Sequence, residues 1–92
     1  MTTRGYLGLV EEKIRQCFVE LFSYKYKTDT LEVIQVWYCK TVQNHKGLFI
    51  VRNKNTNIIY PQFIEATYNG DVKELYLDFY EKQYKRTVKT ED

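Results

Sequence analysis

Ninety-two residues are enough for one folded domain and too few for two. The chain is 43% hydrophobic and 28% charged, which excludes an intrinsically disordered protein. Its net charge of +2 argues against a mimic of DNA, because such a mimic needs an acidic surface.

The first predicted element is an amphipathic helix over residues 6–24. Its apolar side chains recur at steps of three and four residues, and these are Leu7, Val10, Ile14, Cys17, Phe18 and Leu21. The opposite side is polar without an excess of basic residues. The pattern therefore predicts a helix that faces a protein core rather than a membrane surface.

A basic, tyrosine-rich segment follows this helix. Tyr24, Lys25, Tyr26 and Lys27 alternate aromatic rings with ammonium groups, and six basic side chains against two acidic ones lie between residues 24 and 56. Rings that stack on bases and cations that follow phosphates are typical of proteins that bind single-stranded nucleic acid. The structural alternative is that the lysines interact with the carbonyl end of the helix.

Three strands are predicted next, over residues 31–42, 48–52 and 58–68. In the first strand, Ile34, Val36 and Tyr38 are predicted to share one face, and Val33, Trp37 and Cys39 the other. The segments 44–47 and 53–57 have the composition of turns. Such short connections predict an antiparallel meander.

Residues 71–86 fit two patterns. Val72, Leu75, Tyr76, Phe79 and Tyr80 follow a helical period, and Asp71 with Glu74 resembles a helix-capping pair. The alternative is a tight hairpin turn at Asn69-Gly70 followed by a strand in which Leu75, Leu77 and Phe79 alternate. We favour the helix.

The predicted fold is α+β: a helix, a three-stranded antiparallel meander and a second helix (αβββα). Residues 1–92 are expected to form a single compact domain with a frayed C-terminal tail from about residue 88. The predicted core consists of Leu7, Val10, Ile14, Phe18, Leu21, Ile34, Val36, Leu48, Ile50, Ile64, Leu75 and Phe79.

The inventory of reactive groups predicts that the protein is not an enzyme and uses no metal and no cofactor. His45 is the single histidine, and it is predicted to lie exposed in a turn. Cys17 and Cys39 lack the spacing of a zinc site, and they are expected to be free thiols, with a disulfide between them as the alternative. Neither a signal peptide nor a membrane-spanning segment is evident, which favours the cytosol.

Binding to another protein is the preferred function. If both helices cover one face of the sheet, the other face is left to a partner or to a second copy in a homodimer. The alternative is one helix on each face, which buries both faces. The predicted contact residues are Trp37, Tyr38, Gln43, Asn44 and Lys46. The rival interpretation is structural, with Asn44 and Gly47 shaping a turn and Trp37 in the core.

Three segments carry a resemblance to a known family. They are Val36-Trp37-Tyr38-Cys39-Lys40-Thr41-Val42-Gln43-Asn44-His45-Lys46 and Glu65-Ala66-Thr67-Tyr68-Asn69-Gly70-Asp71, followed by Glu74-Leu75-Tyr76-Leu77-Asp78. Over residues 31–82 the chain resembles a family of small uncharacterised proteins encoded by phages and prophages of Gram-positive bacteria. The resemblance implies an accessory protein that binds host or defence machinery, such as a CRISPR effector or a replication or transcription factor, in the bacterial host cytoplasm.

Overall fold

The structure is a computed structural model that describes residues 1–22, 30–81 and 86–91. One helix, α1 (Thr3–Phe22), precedes four strands: β1 (Leu31–Thr41), β2 (Asn44–Asn53), β3 (Ile59–Asn69) and β4 (Glu74–Glu81). Each strand pairs antiparallel with the next, so the order in the sheet is β1-β2-β3-β4. The helix packs on one face, which we call the inner face. The opposite, outer face carries no helix within the described residues.

The prediction of a second helix over residues 71–86 is wrong, and the fold is αββββ rather than αβββα. Residues 74–81 instead form a fourth strand, paired with β3 from Asn69↔Glu74 to Gln62↔Glu81. Asp71 does not cap a helix; its amide donates a 3.0 Å hydrogen bond to the Asn69 side chain, inside a tight turn. The alternation of Leu75, Leu77 and Phe79 is the pattern that the structure follows, since all three pack on the core.

The turn predicted at residues 44–47 is also misplaced. The turn lies at Val42 and Gln43, and β2 already begins at Asn44. Gly47 serves strand packing instead, because a Cβ atom there would lie 2.8 Å from the Phe49 ring and 3.0 Å from the Trp37 carbonyl oxygen. Val42 takes a left-handed φ of 54°, which is strained for a β-branched side chain.

A β-bulge changes which side chains of β1 face the helix. The register shifts between Gln35 and Trp37, so Val36 is the extra residue. Val33 and Tyr38 therefore both pack on the core of the inner face, although simple alternation placed them on opposite faces. Ile34 and Trp37 share the outer face.

The core lies between α1 and the inner face. From the helix it takes Tyr6, Val10, Ile14 and Phe18, which recur every four residues, and from the sheet Leu31, Phe49, Val51, Ile64, Ala66 and Tyr68. The prediction of Val10, Ile14, Phe18 and Ile64 as core residues is confirmed. Leu21 and Val36 are exposed, and Ile34, Leu48 and Ile50 are half-buried on the outer face.

The helix begins earlier than predicted because Thr2 caps it. The Thr2 hydroxyl accepts a 3.0 Å hydrogen bond from the Gly5 amide, and the Thr2 carbonyl accepts one of 2.9 Å from the Tyr6 amide.

At the other end of the described chain, residues 86–91 have neither helix nor strand.

The turn between β1 and β2 is in close contact with the turn between β3 and β4. This contact predicts that a side chain at Gly70 destabilises the protein. Gly70→Ala should lower the free energy of unfolding by about 1–3 kcal/mol. A Cβ atom at residue 70 would clash with the Gln43 carbonyl oxygen and lie 2.9 Å from its Cβ. Chemical denaturation followed by tryptophan fluorescence measures the change.

The control for this prediction is Gly8→Ala. A Cβ at Gly8 meets nothing within 4 Å, and alanine is favoured over glycine inside a helix by roughly 0.5–1 kcal/mol. The free energy of unfolding should therefore rise in this variant. Equal stability of Gly70→Ala and the wild type would show that the two turns do not pack together.

Candidate functional site: the outer face of the sheet

An apolar row crosses the outer face from one edge of the sheet to the other. Ile34 pairs with Ile50, Ile50 with Phe63, and Phe63 with Tyr80. Phe63 is 40% exposed and Tyr80 52% exposed. An antiparallel sheet with one face in water usually turns polar side chains to that side. This apolar row departs from that rule, and contiguous exposed apolar surface of this kind marks binding sites.

Beside the apolar row lies a shallow cleft of about 510 Å³, a volume in the range of ligand-binding clefts. From the outer face it is lined by Trp37, Cys39, Thr41, Asn44, Lys46, Glu65 and Thr67. Trp37 is 40% exposed. The Lys46 Nζ and Glu65 Oε1 atoms form an ion pair of 3.1 Å, which contributes little stability because both groups are partly exposed. We call this cleft the Trp37 cleft.

The charges on the outer face are mostly acidic, although the whole chain carries +2. Among the described residues, the register and strand alternation place four carboxylates and two cations there: Glu32, Glu65, Glu74 and Asp78, with Lys46 and Arg52. Both cations are already paired, Arg52 with Glu32 at 2.6 Å and Lys46 with Glu65. Asp78 lies directly opposite Glu65, and no hydrogen bond or ion pair reaches it from the described residues.

On the inner face, His45 is buried rather than exposed in a turn as predicted. Only 1% of it is accessible, and its ring stacks on Tyr6 with 5.0 Å between centroids. Its Nε2 atom lies 3.1 Å from the Met1 carbonyl oxygen, which can only accept, so Nε2 carries the proton. The Nδ1 atom therefore accepts the 2.6 Å hydrogen bond from the Tyr38 hydroxyl.

This hydrogen-bond chain joins the start of α1 to the sheet. Because Tyr38 gives its single hydroxyl proton to His45, its oxygen accepts from the Thr3 hydroxyl at 3.1 Å. The Tyr6 hydroxyl donates a 2.7 Å hydrogen bond to the Ala66 carbonyl. Burial lowers the pKa of His45, which the hydrogen bond to Met1 only partly opposes, and burial raises the pKa of Tyr6. His45 is therefore neutral at pH 7.

The structure brings together three of the five residues predicted to contact a partner. Trp37, Asn44 and Lys46 line the Trp37 cleft, whereas Tyr38 lies on the inner face. Gln43 lies in the turn. Asn44 also has a structural role. Its side-chain oxygen accepts a 3.2 Å hydrogen bond from the Gly70 amide, which joins the start of β2 to the turn between β3 and β4. That these five residues contribute to binding stays a prediction, and Tyr24, Lys25, Tyr26 and Lys27 lie outside the described residues.

Sequence reasoning missed the residues that complete this surface. They are Leu48, Ile50, Phe63, Tyr80, Glu65 and Asp78. Tyr80 and Asp78 lie in the segment that the sequence predicts as a helix. The alternation of Leu75, Leu77 and Phe79 was the signal that could have placed them on a strand. The cysteines are free: Cys17 lies half-buried on α1, and Cys39 is exposed in the cleft.

The residues 9–90 match the model of a family described as "Family of unknown function (DUF6275)". The chain belongs to this family. No curated protein and no solved structure is significantly similar to it. Within the described residues, no helix combines the length and the apolar character needed to cross a membrane. The same part of the chain brings no three His, Cys, Asp or Glu side chains together as a metal site.

The buried, neutral His45 predicts that the protein loses stability as the pH falls below 6.5. The unfolded chain binds a proton near the ordinary pKa of 6.5, whereas the folded state has a lowered pKa and resists protonation. The free energy of unfolding should therefore fall by at most about 1.4 kcal/mol per pH unit until the folded state is also protonated. Denaturant titrations between pH 7.5 and 5 measure this slope.

Two measurements check the assignment to His45. Titration of its ring resonances by NMR in the folded protein should give a pKa below 6.5. His45→Gln should remove the slope between pH 7 and 5.5, since carboxyl groups titrate near pH 4. An unchanged slope in that variant would assign the effect to another group.

The Tyr38 hydroxyl predicts a second stability effect. Tyr38→Phe leaves the buried Nδ1 atom of His45 without its 2.6 Å donor. The free energy of unfolding should fall by about 1–3 kcal/mol. Tyr80→Phe is the matched control, because that side chain is 52% exposed, and its change should stay within about 0.5 kcal/mol. Similar losses in both variants would contradict a role for the Tyr38–His45 hydrogen bond.

Proposed function

We propose that this protein is a non-enzymatic binding protein and that its partner is another protein held on the outer face. The observation that carries the proposal is the apolar row Ile34–Ile50–Phe63–Tyr80, which crosses all four strands without a helix over it in the described residues. Aromatic anchors next to aliphatic side chains are typical of the energetic centre of protein interfaces. Trp37 and Tyr80 supply such anchors.

The arrangement of reactive groups supports a function without catalysis. A general base needs an accessible nitrogen near its substrate. His45 is the single histidine of the chain, and both its ring nitrogens are engaged, one with Tyr38 and one with Met1. It holds the helix on the sheet instead.

The charge of the outer face favours a protein over nucleic acid. Four carboxylates against two paired cations repel a phosphate backbone, and phosphate contacts dominate nucleic-acid affinity. The competing proposal, single-stranded nucleic acid bound by Tyr24, Lys25, Tyr26 and Lys27, uses a segment outside the described residues. The experiment below separates the two.

The resemblance of residues 31–82 to small phage and prophage proteins supports a setting for this binding. In that setting the protein is a phage accessory protein of the bacterial host cytoplasm. It binds and inhibits or redirects a host or defence protein, for example a CRISPR effector or a replication or transcription factor. This part of the proposal rests on the sequence resemblance.

The test compares variants that change an exposed apolar side chain on opposite sides of the molecule. Tyr80→Gln and Phe63→Gln change the outer face. Leu21→Gln changes a position on α1 that is more exposed than either, at 61%. Each tagged protein is incubated with two portions of a lysate of a Gram-positive bacterium, one treated with nuclease and one untreated. A protein retained by the wild type is then purified and titrated against every variant. Both outer-face variants should weaken its binding about tenfold or more, and Leu21→Gln should bind as the wild type.

Melting temperatures of the variants, compared with that of the wild type, show whether each variant is folded. Binding that survives in both outer-face variants would contradict the outer face as the site. Capture that disappears with nuclease treatment would favour the nucleic-acid proposal.

A further inference from the structure

We infer that the partner inserts a cationic side chain, preferentially arginine, into the Trp37 cleft while its apolar side chains pack on the apolar row. This inference rests on the proposed function and specifies the chemistry of the partner. It depends on two features of the outer face that meet at Glu65. The first is an accessible tryptophan that lines the cleft together with Glu65. The second is the carboxylate pair of Glu65 with Asp78, which lies on the next strand outside the cleft and lacks a second cation.

The carboxylate pair of the outer face attracts a cation. Glu65 and Asp78 lie directly opposite each other on β3 and β4. Like charges in that position destabilise a sheet. Lys46 neutralises Glu65 from the β2 side at 3.1 Å, but within the described residues nothing pairs with Asp78. A cation from a partner placed between the two carboxylates would remove this repulsion.

The exposed tryptophan favours one kind of cation. Trp37 and Glu65 line the same cleft, so a side chain that enters it meets an indole ring and a carboxylate together. A guanidinium group stacks on an indole ring and forms paired hydrogen bonds with a carboxylate, whereas an ammonium group presents a compact charge without a stacking plane. The cleft therefore favours arginine over lysine.

The same charges disfavour a second copy of this chain as the occupant. Two outer faces packed together would bring eight carboxylates to an interface whose four cations are already paired within each chain. Desolvating carboxylates without new partners costs free energy. A different protein with a basic flank is the better complement.

The spacing of the apolar row indicates a suitable probe. Neighbouring strands are about 4.8 Å apart, and one helical turn advances about 5.4 Å. A helix that lies across the strands can thus place one apolar side chain near each of Ile34, Ile50, Phe63 and Tyr80. The probe is a synthetic amphipathic helical peptide of about four turns with leucines on one face and arginines along one flank.

The experiment titrates the full chain with this peptide and follows fluorescence from Trp37, the single tryptophan. A second peptide carries citrulline in place of arginine, which keeps the shape and removes the charge. The arginine peptide should shift the emission to shorter wavelength and bind about tenfold more tightly than the citrulline peptide. Asp78→Asn should weaken the binding of the arginine peptide only. Glu20→Gln removes one charge from the exposed side of α1 and should change the affinity for neither peptide.

Equal affinity for the two peptides, or no saturable binding of either, would overturn the inference. A concentration-dependent dimer in sedimentation, lost in Tyr80→Gln, would overturn it in favour of a second copy. Binding of the natural partner distinguishes a failure of this inference from a failure of the proposed function. If its binding requires Tyr80 but is unchanged in Asp78→Asn, this inference fails while the proposed function stands; if it requires neither, both fail.

Discussion

The structure depends on the packing of one helix against one face of a four-stranded sheet. Tyr6, Val10, Ile14 and Phe18 lie four residues apart, so their side chains form a single column along α1. That column covers the middle of the inner face and leaves the half-buried side chains of β4 at its margin. One helix cannot cover two faces, and no second element of the described residues covers the outer face.

The start of the helix is fixed by polar groups rather than by apolar packing alone. His45 reaches it from β2 through Met1, and Tyr38 reaches it from β1 through Thr3. Each buried polar atom in this chain of hydrogen bonds has a partner, so burial of the imidazole does not carry the cost of an unpaired group. The stacked Tyr6 ring shields the same imidazole from water. The histidine that seemed a surface residue in the sequence is thus a structural residue.

The sequence predicts the helix and the first three strands better than it predicts how the strands pair. The four-residue spacing in α1 and the β-branched runs of β1–β3 are local signals, and the structure follows them to within a few residues at most boundaries. Residues 74–81 carry both a helical and a strand period, and only pairing with β3 decides between them, which is a tertiary effect. The apolar row could not be predicted for the same reason. Its members come from four strands and meet only through the register.

The bulge in β1 shows how one residue affects both the packing of the helix and the side chains of the outer face. Leu31 and Val33 face inward on the N-terminal side of the bulge. In a regular strand the same alternation would turn Trp37 inward against Gly47 and Tyr38 outward. The extra residue, Val36, reverses this: Tyr38 pairs with Gly47 and reaches His45, while Trp37 pairs with Leu48 and lines the cleft. Two adjacent aromatic residues thereby take different positions: Tyr38 holds the helix, and Trp37 is exposed on the outer face.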